Sequence, residues 1–222
     1  MSALTLAIEA STYAASVALV KGESVLCEVR VPMRDPKQER LMPAIASTLG
    51  SMSVRELDAI VCGGGPGSFT SLRIAAAIAK GLAVAGGKPL FAISSLLLIV
   101  AGMETPPARG AWLATLDAMR GESFVQLIEV TSAGTMRESS DVRVVRDDEI
   151  ESIAQAAGAR IAGPGRPVDT APLARGVARL GGHAALAAPV DLASWEPNYG
   201  RLAEAQVRWE AAHGRALNTR TS

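Results

Sequence analysis

Three runs near the start of the chain alternate apolar residues with polar or small ones, at residues 4–8, 16–20 and 24–31. Short segments of turn-forming residues separate these runs. Alternation with a period of two predicts strands that bury one face, and tight connections favour antiparallel pairing of neighbours. The pattern therefore predicts that the fold opens with a three-stranded antiparallel meander.

The next part of the chain predicts helices around a short buried strand. Leu41, Ile45 and Leu49 recur at four-residue spacing, which is typical of an amphipathic helix. Residues 59–62 form a brief apolar run, and residues 71–85 are apolar on nearly every face before two glycines. We therefore expect a buried strand at 59–62, then a largely buried helix that ends at a glycine.

The second half of the chain repeats this order. Strand candidates at 111–116, 123–130 and 142–145 are followed by a helix that reaches Ala157. Strands followed by helices, twice over, predict two lobes of related α/β design with a cleft between them.

Length and breaker residues predict the domain boundaries. The chain has 222 residues, a length between one large domain and two small ones. A polar connection that contains prolines separates the two halves. We expect a first lobe at 1–104, a second lobe at 105–195, and a C-terminal helix and tail at 196–222 that packs back on the first lobe.

Composition narrows the class of function. Lysine plus arginine equals aspartate plus glutamate at 22 each, so the chain lacks the net positive charge with which a protein holds nucleic acid tightly by itself. Cys27 and Cys62 lie in apolar runs without a disulfide framework, which is typical of reduced thiols and predicts a cytoplasmic protein. We expect no signal peptide and no stretch that reaches the length of a membrane span.

The segment Gly63–Thr70, placed between a buried strand and a helix start, is the strongest local signal. Glycines at such a place let backbone amides point outward, and a helix N-terminus attracts anions. The segment lacks the lysine of a P-loop and the spacing of a dinucleotide fingerprint, so close packing of strand against helix explains it equally well. The residues predicted to form an anion or nucleotide site, here and in the preceding hairpin turn, are Ser11, Thr12, Gly65, Gly67 and Ser68.

Two carboxylates, Glu9 and Asp117, each end a predicted strand. In a cleft, such groups hold magnesium through water or act as a base. The alternative is that both are strand-end carboxylates held by hydrogen bonds, and we favour it because no lysine or histidine stands near either one. His183 and His213 are the only histidines and lack metal-ligand spacing, which argues against a metal site and against a serine or cysteine hydrolase.

Four segments of the chain resemble the TsaB (YeaZ) family: Leu6–Thr12, Gly65–Ile74, Ala79–Ala83 and Asp117–Glu122. They follow in order over more than half of the chain, and the Gly-Pro-Gly block with its following helix is the most specific. The resemblance implies the two-lobed fold of actin, sugar kinases and heat-shock ATPases, in which each lobe is a mixed sheet flanked by helices. It also implies a non-catalytic scaffold subunit in the threonylcarbamoylation of the tRNA adenosine beside the anticodon.

The resemblance further implies partners. A TsaD-like subunit would bind ATP and metal and transfer the threonylcarbamoyl group, and a TsaE-like ATPase would join the pair. This chain would then hold no cofactor and would meet tRNA only through the complex. The lone chain is either a monomer or a homodimer, and an apolar interface left without its partner favours self-association. We expect two first-lobe helices to make the contact, and the residues predicted to form this interface are Leu41, Ile45, Leu49, Ile74 and Ile78.

Four features depart from the family pattern. Ser71 stands where the family usually has glycine, Lys37 where many relatives have histidine, and residues 197–201 where Pro-x-Tyr-Leu-Arg is expected. Glu9 replaces the common aspartate. The main alternative function is a small ATP-dependent kinase of the same fold that uses Glu9 and Asp117. The other alternative is a peptidase, but the sequence contains neither a nucleophile–base pair nor a metal motif for one.

Overall fold

The computed structural model describes residues 2–33, 39–183, 186 and 188–200. The predicted helix at 202–213, and with it His213, lies outside the described residues, as does Lys37. The described chain forms two mixed sheets with helices packed on them.

The first sheet contains β1 (Leu4–Glu9), β2 (Ala14–Lys21), β3 (Ser24–Pro32), β4 (Ala59–Gly63) and β5 (Leu90–Ile93). Its strand order is β3-β2-β1-β4-β5. Strands β1 to β3 pair antiparallel, which confirms the predicted meander, whereas β4 and β5 run parallel to β1.

The second sheet repeats the topology of the first. Its strands are β6 (Gly110–Met119), β7 (Glu122–Val130), β8 (Met136–Glu138), β9 (Arg143–Arg146), β10 (Arg160–Gly163) and β11 (Val168–Asp169). The order is β11-β10-β6-β7-β8, and β9 also pairs with β7. As in the first sheet, the long opening strand has an antiparallel hairpin neighbour on one side and a parallel strand on the other. The predicted two-lobed α/β fold is therefore confirmed.

The helices divide between the outer faces of the sheets and the space between them. They are α1 (Leu41–Leu49), α2 (Phe69–Gly86), α3 (Ser95–Ala101), α4 (Ile150–Ala157) and α5 (Gly176–Arg179). Helices α1 and α2 pack on the outer face of the first sheet, and α4 packs on that of the second. Every residue of α3 is buried, because this helix lies in the core that joins the two sheets.

Alternation along β1 determines which core each side chain enters. Leu6 and Ile8 face the core under α1 and α2, whereas Ala7 faces the core between the sheets. Both faces of β1 are therefore covered, and all of the strand after Leu4 is buried, including the polar residues Thr5 and Glu9.

Helix α2 differs from expectation in its length and exposure. By length and composition it is apolar enough to cross a membrane, so the expectation that no stretch reaches that length is wrong. In this fold one face of the helix is buried on the first sheet through small side chains such as Ala75, Ala79 and Ala83. Six of its 18 residues are fully buried, and the half-buried Ile74, Ile78 and Leu82 pack at the edge of the same core.

The predicted interface residues on α1 require a correction. Leu41, Ile45 and Leu49 are buried in the chain's own core, with 0%, 1% and 8% of their surface exposed. The four-residue spacing indicates the apolar side of the helix. In this structure that side packs on the first sheet. Of the predicted residues on α2, Ile74 and Ile78 are half-buried at the edge of the same core.

Candidate functional site

The candidate site lies where β1 and β4 end side by side. Ile8 pairs with Cys62 in the parallel register, so Glu9 at the end of β1 lies next to Gly63 at the end of β4. The chain then forms the glycine loop, residues 63–68, and enters α2 at Phe69. Neighbouring parallel strands end at the same edge of a sheet, which is the usual position of a ligand site in α/β folds.

Glu9 is fully buried at the centre of this region. Its Oε1 accepts a hydrogen bond from the Ser11 amide at 2.6 Å, and its Oε2 accepts one from the Ser95 hydroxyl at 2.9 Å. Burial raises the pKa of this carboxyl above its ordinary value of 4.5, although these hydrogen bonds act in the opposite direction. A methyl group on Gly63 would overlap the carboxyl group, so the glycine is what makes room for the longer glutamate arm.

Most amides of the glycine loop are already paired within the chain. The Gly64 amide donates to the Ile93 carbonyl at 2.7 Å, and the Gly65 amide donates to the Ser95 hydroxyl at 3.2 Å. The Ser68 amide donates to the Ser11 carbonyl at 2.7 Å. These hydrogen bonds join the loop to β5, to α3 and to the β1–β2 hairpin. In this conformation the loop backbone therefore links these three elements.

The structure brings four of the five predicted site residues together. Ser11 packs directly on Gly67, and Ser68 donates its amide to Ser11, while Gly65 lies beside Ser95. Thr12 is different, because its hydroxyl donates to the Ala14 carbonyl at 2.8 Å and closes the hairpin turn.

Ser11 belongs to the buried cluster around Glu9. It is 3% exposed, and its side chain and its amide both lower the pKa of the Glu9 carboxyl, against the larger effect of burial. Ser11, Glu9 and Ser95 therefore form one buried polar group at the end of β1.

Asp117 plays a local structural role. It lies near the end of β6 with its side chain exposed, and its Oδ1 accepts a hydrogen bond from the Met119 amide at 2.7 Å. Met119 and Arg120 have φ values of 67° and 61°, the left-handed backbone of a tight hairpin turn. Asp117 and Glu9 therefore occupy opposite environments, one exposed at a turn and one buried in the core.

Residues that sequence reasoning missed are Ser95 and the segment around Asn198. Ser95 connects Glu9 to the glycine loop, and Asn198 donates its amide to the Gly64 carbonyl at 2.7 Å. Tyr199 packs its ring on Phe69 at 4.6 Å between centroids. The Asn-Tyr-Gly sequence at 198–200 departs from the family pattern. Nothing in the local pattern indicates that this segment contacts Gly64.

Within the residues that the structure describes, no group of three or more histidine, cysteine, aspartate or glutamate side chains is placed to hold a metal ion. His183 lies elsewhere, with its Nδ1 at 2.8 Å from the Thr5 hydroxyl and its ring on Phe91. Cys62 is a buried thiol whose pKa is raised well above its ordinary range by burial and by Glu9.

Glu9→Gln is expected to remove a pH dependence of stability. Because the pKa of Glu9 is higher in the folded chain, its contribution to stability is complete below the ordinary pKa of 4.5 and is lost as pH rises through the folded value. Each unit of pKa difference corresponds to about 1.4 kcal/mol. Urea unfolding at pH 5 to 9 should show the wild type losing stability relative to Glu9→Gln, and two parallel curves would contradict the prediction.

Comparison with known proteins identifies the class to which this fold and site belong. The family model described as "TsaD: tRNA N6-adenosine threonylcarbamoyltransferase" matches residues 34–169. That match covers more than half of the chain, so the chain belongs to the TsaD-like family of two-lobed α/β proteins.

Individual relatives show which branch of this family the chain resembles. The chain is 34% identical over 121 residues to the tRNA threonylcarbamoyladenosine biosynthesis protein TsaB of Escherichia coli, covering 54% of this chain and 52% of that protein. It is 32% identical over 155 residues to TsaB of Bacillus subtilis, covering 67% and 65%. The solved structure "YeaZ from Pseudomonas aeruginosa" superposes with a TM-score of 0.75 at 27% identity, over 90% of this chain and all of that one.

This chain is a member of the TsaB (YeaZ) family, as its motifs indicated. The matched part spans about half to two thirds of the length of these curated relatives.

Proposed function

We propose that this chain is a non-catalytic accessory subunit in the biosynthesis of threonylcarbamoyladenosine in tRNA, acting in the cytoplasm. It supports a TsaD-like transferase, which holds the ATP and metal, and a TsaE-like ATPase joins the pair. The observation that carries this proposal is the exposed side of α2, where the small or apolar residues Ala77, Gly81 and Val84 face outward.

The exposed side of α2 carries small residues along most of its length, with Thr70 and Arg73 at its N-terminal end. Val84 is 70% exposed, and a side-chain carbon added at Gly81 would meet nothing within 4 Å. The exposed positions recur every three or four residues along one side, at Thr70, Arg73, Ala77, Gly81 and Val84. Small residues at this spacing let a second helix approach closely, which is how helix pairs bury their backbones against each other.

Helix α1 extends this surface. It packs over β2 and β3, whereas α2 packs over β4 and β1, so the two helices lie on the same side of the first sheet. Met42 is 42% exposed there, and Ala46 is exposed one turn later. We call the exposed sides of α1 and α2 the helical face, and we place the partner contact on it. Without a partner, the same face would pair two copies of the chain.

The positions of the two carboxylates support the accessory role over the kinase alternative. Burial favours the neutral form of Glu9, and both its oxygens accept hydrogen bonds from the chain itself. Asp117 is engaged at a surface turn. A magnesium-nucleotide site needs charged carboxylates that face the ligand, so these residues serve the fold and the transfer chemistry is assigned to the partner.

The double variant Glu9→Gln, Asp117→Asn is expected to restore the tRNA modification fully in cells depleted of the wild-type chain. An accessory subunit needs its shape and its helical face, and both substitutions preserve shape. Mass spectrometry of digested tRNA measures the threonylcarbamoyladenosine content. The wild-type chain is the positive control, and a folded double variant that leaves the modification absent would favour the kinase.

A further inference from the structure

Exposed apolar side chains are concentrated at the edge where the two lobes meet. Among the residues that the structure describes, eight large apolar side chains are exposed, and four of them belong to this edge. Between 39% and 55% of the surface of each of the four is exposed. We call this set the junction patch, and its members are Tyr13, Phe69, Met119 and Val144.

A contact between two hairpin turns crosses from one lobe to the other in this patch. Tyr13 lies in the turn between β1 and β2, and Met119 ends β6 at the turn into β7. The Tyr13 hydroxyl donates a hydrogen bond to the Met119 sulfur at 3.9 Å. The junction patch therefore contains side chains of both lobes that touch each other.

The last residues that the structure describes lie in the middle of the junction patch. The Tyr199 ring packs on Phe69 with 4.6 Å between the ring centroids. Gly200 has a φ of 70°, and a side chain there would overlap the ring of Phe124, whose cross-strand partner is Val144. Residue 201 and those after it therefore start from the centre of the patch.

Chain continuity restricts what can cover the patch. Consecutive Cα atoms are about 3.8 Å apart, so the Cα of Leu202 lies within about 7.6 Å of the Gly200 Cα. Leu202, Ala205 and Trp209 recur at spacings of three and four, which would place them on one side of a helix. A tethered segment meets such a patch at an effective concentration of about millimolar, which a separate protein does not reach.

We propose that residues 201–209 dock on the junction patch of the same molecule and tie the two lobes together. The apolar side of the segment, with Leu202 and Trp209, removes the patch from water. The helical face stays open for a partner, because the segment lies at the junction of the lobes. This inference concerns contacts within one chain, so it does not rest on the proposed function, and its failure would leave that function untouched.

Disulfide trapping in the full chain tests where the segment lies. Met119→Cys is combined with Ala205→Cys, and Ala77→Cys with Ala205→Cys is the matched control, because Ala77 is exposed on the helical face. Both pairs are placed in a Cys27→Ser background, since Cys62 is buried and Cys27 is only partly so. After oxidation with copper phenanthroline, we expect the Met119 pair to cross-link within one molecule at least about fivefold more than the control pair.

Thermal unfolding of the full chain provides a second measurement. Trp209→Ala should lower the unfolding midpoint by about 5 °C or more, because it removes a large aromatic side chain from a packed contact. In a Val144→Ala background the same change should cost clearly less, since both substitutions act on one contact. In a Val84→Ala background the two losses should add, because Val84 is exposed on the helical face.

Three results would overturn the proposal. One is a Met119 pair that cross-links no more than the Ala77 pair, because the segment would then not lie at the junction of the lobes. Another is cross-linking only between two molecules, which would make a second copy of the chain the occupant. The last is full additivity of Trp209→Ala with Val144→Ala.

Discussion

Ala77→Arg is expected to abolish stable association with a TsaD-like partner, with an affinity loss of at least about 100-fold. Ala77 lies in the middle of the exposed side of α2, between Arg73 and Gly81. An arginine there would place a long charged side chain where small residues allow close approach, and it would hold the partner's helix away. Sizing chromatography of the mixed, purified proteins and calorimetric titration measure the loss.

Ala156→Arg is the matched control, because Ala156 is also exposed, on helix α4 of the second lobe. It introduces the same side chain away from the helical face and should leave association unchanged. Circular dichroism and thermal unfolding of both variants show whether either substitution disturbs the fold. Equal binding by the two variants would place the partner elsewhere.

Gly63→Ala is expected to lower the free energy of unfolding by about 3 kcal/mol or more. The added methyl group would overlap the carboxyl group of Glu9, which is buried and held from both sides by Ser11 and Ser95. Movement of the carboxyl group away from the methyl group would lengthen or break these hydrogen bonds. Urea unfolding followed by circular dichroism measures the loss.

Gly64→Ala provides the control for Gly63→Ala. A methyl group at Gly64 would come no closer than 3.4 Å to its neighbours, which is ordinary contact, so we expect only a small loss. In a Glu9→Ala background, the cost of Gly63→Ala should fall by at least about 1 kcal/mol, because the two substitutions act on the same space. Additive effects would show that the clash with Glu9 is not the cause.

The alternation of residues along the chain predicted most of the fold. The meander of β1 to β3 and the buried strand β4 follow from local patterns, because tight turns join neighbours and strand periodicity needs only a few residues. The repeated order of strands and helices likewise predicted two lobes of the same topology. Local physics was sufficient for these elements, since each is determined by residues close together in the chain.

The same patterns gave a wrong prediction where an apolar helix face could pack either on the chain itself or on a partner. The apolar stripe of Leu41 and Ile45 predicts a partner interface, yet it faces the chain's own sheet. Periodicity identifies an apolar face but not the surface that it meets. On α2 the outer side also carries apolar residues such as Ala77 and Val84, and only the packed structure distinguishes the covered side from the uncovered one.

By itself, the sequence determined the strands, the glycine loop and the family motifs, because each depends on residues adjacent along the chain. The tertiary structure alone decided that Glu9 is buried against Ser95, and that Asn198 lies on Gly64. Those contacts join positions 86 and 134 residues apart, and a pattern of apolar and polar residues contains no information about which distant segment will approach. Close packing made that choice, since only glycines at 63 and 65 leave room for the Glu9 carboxyl group and the Asn198 carbonyl.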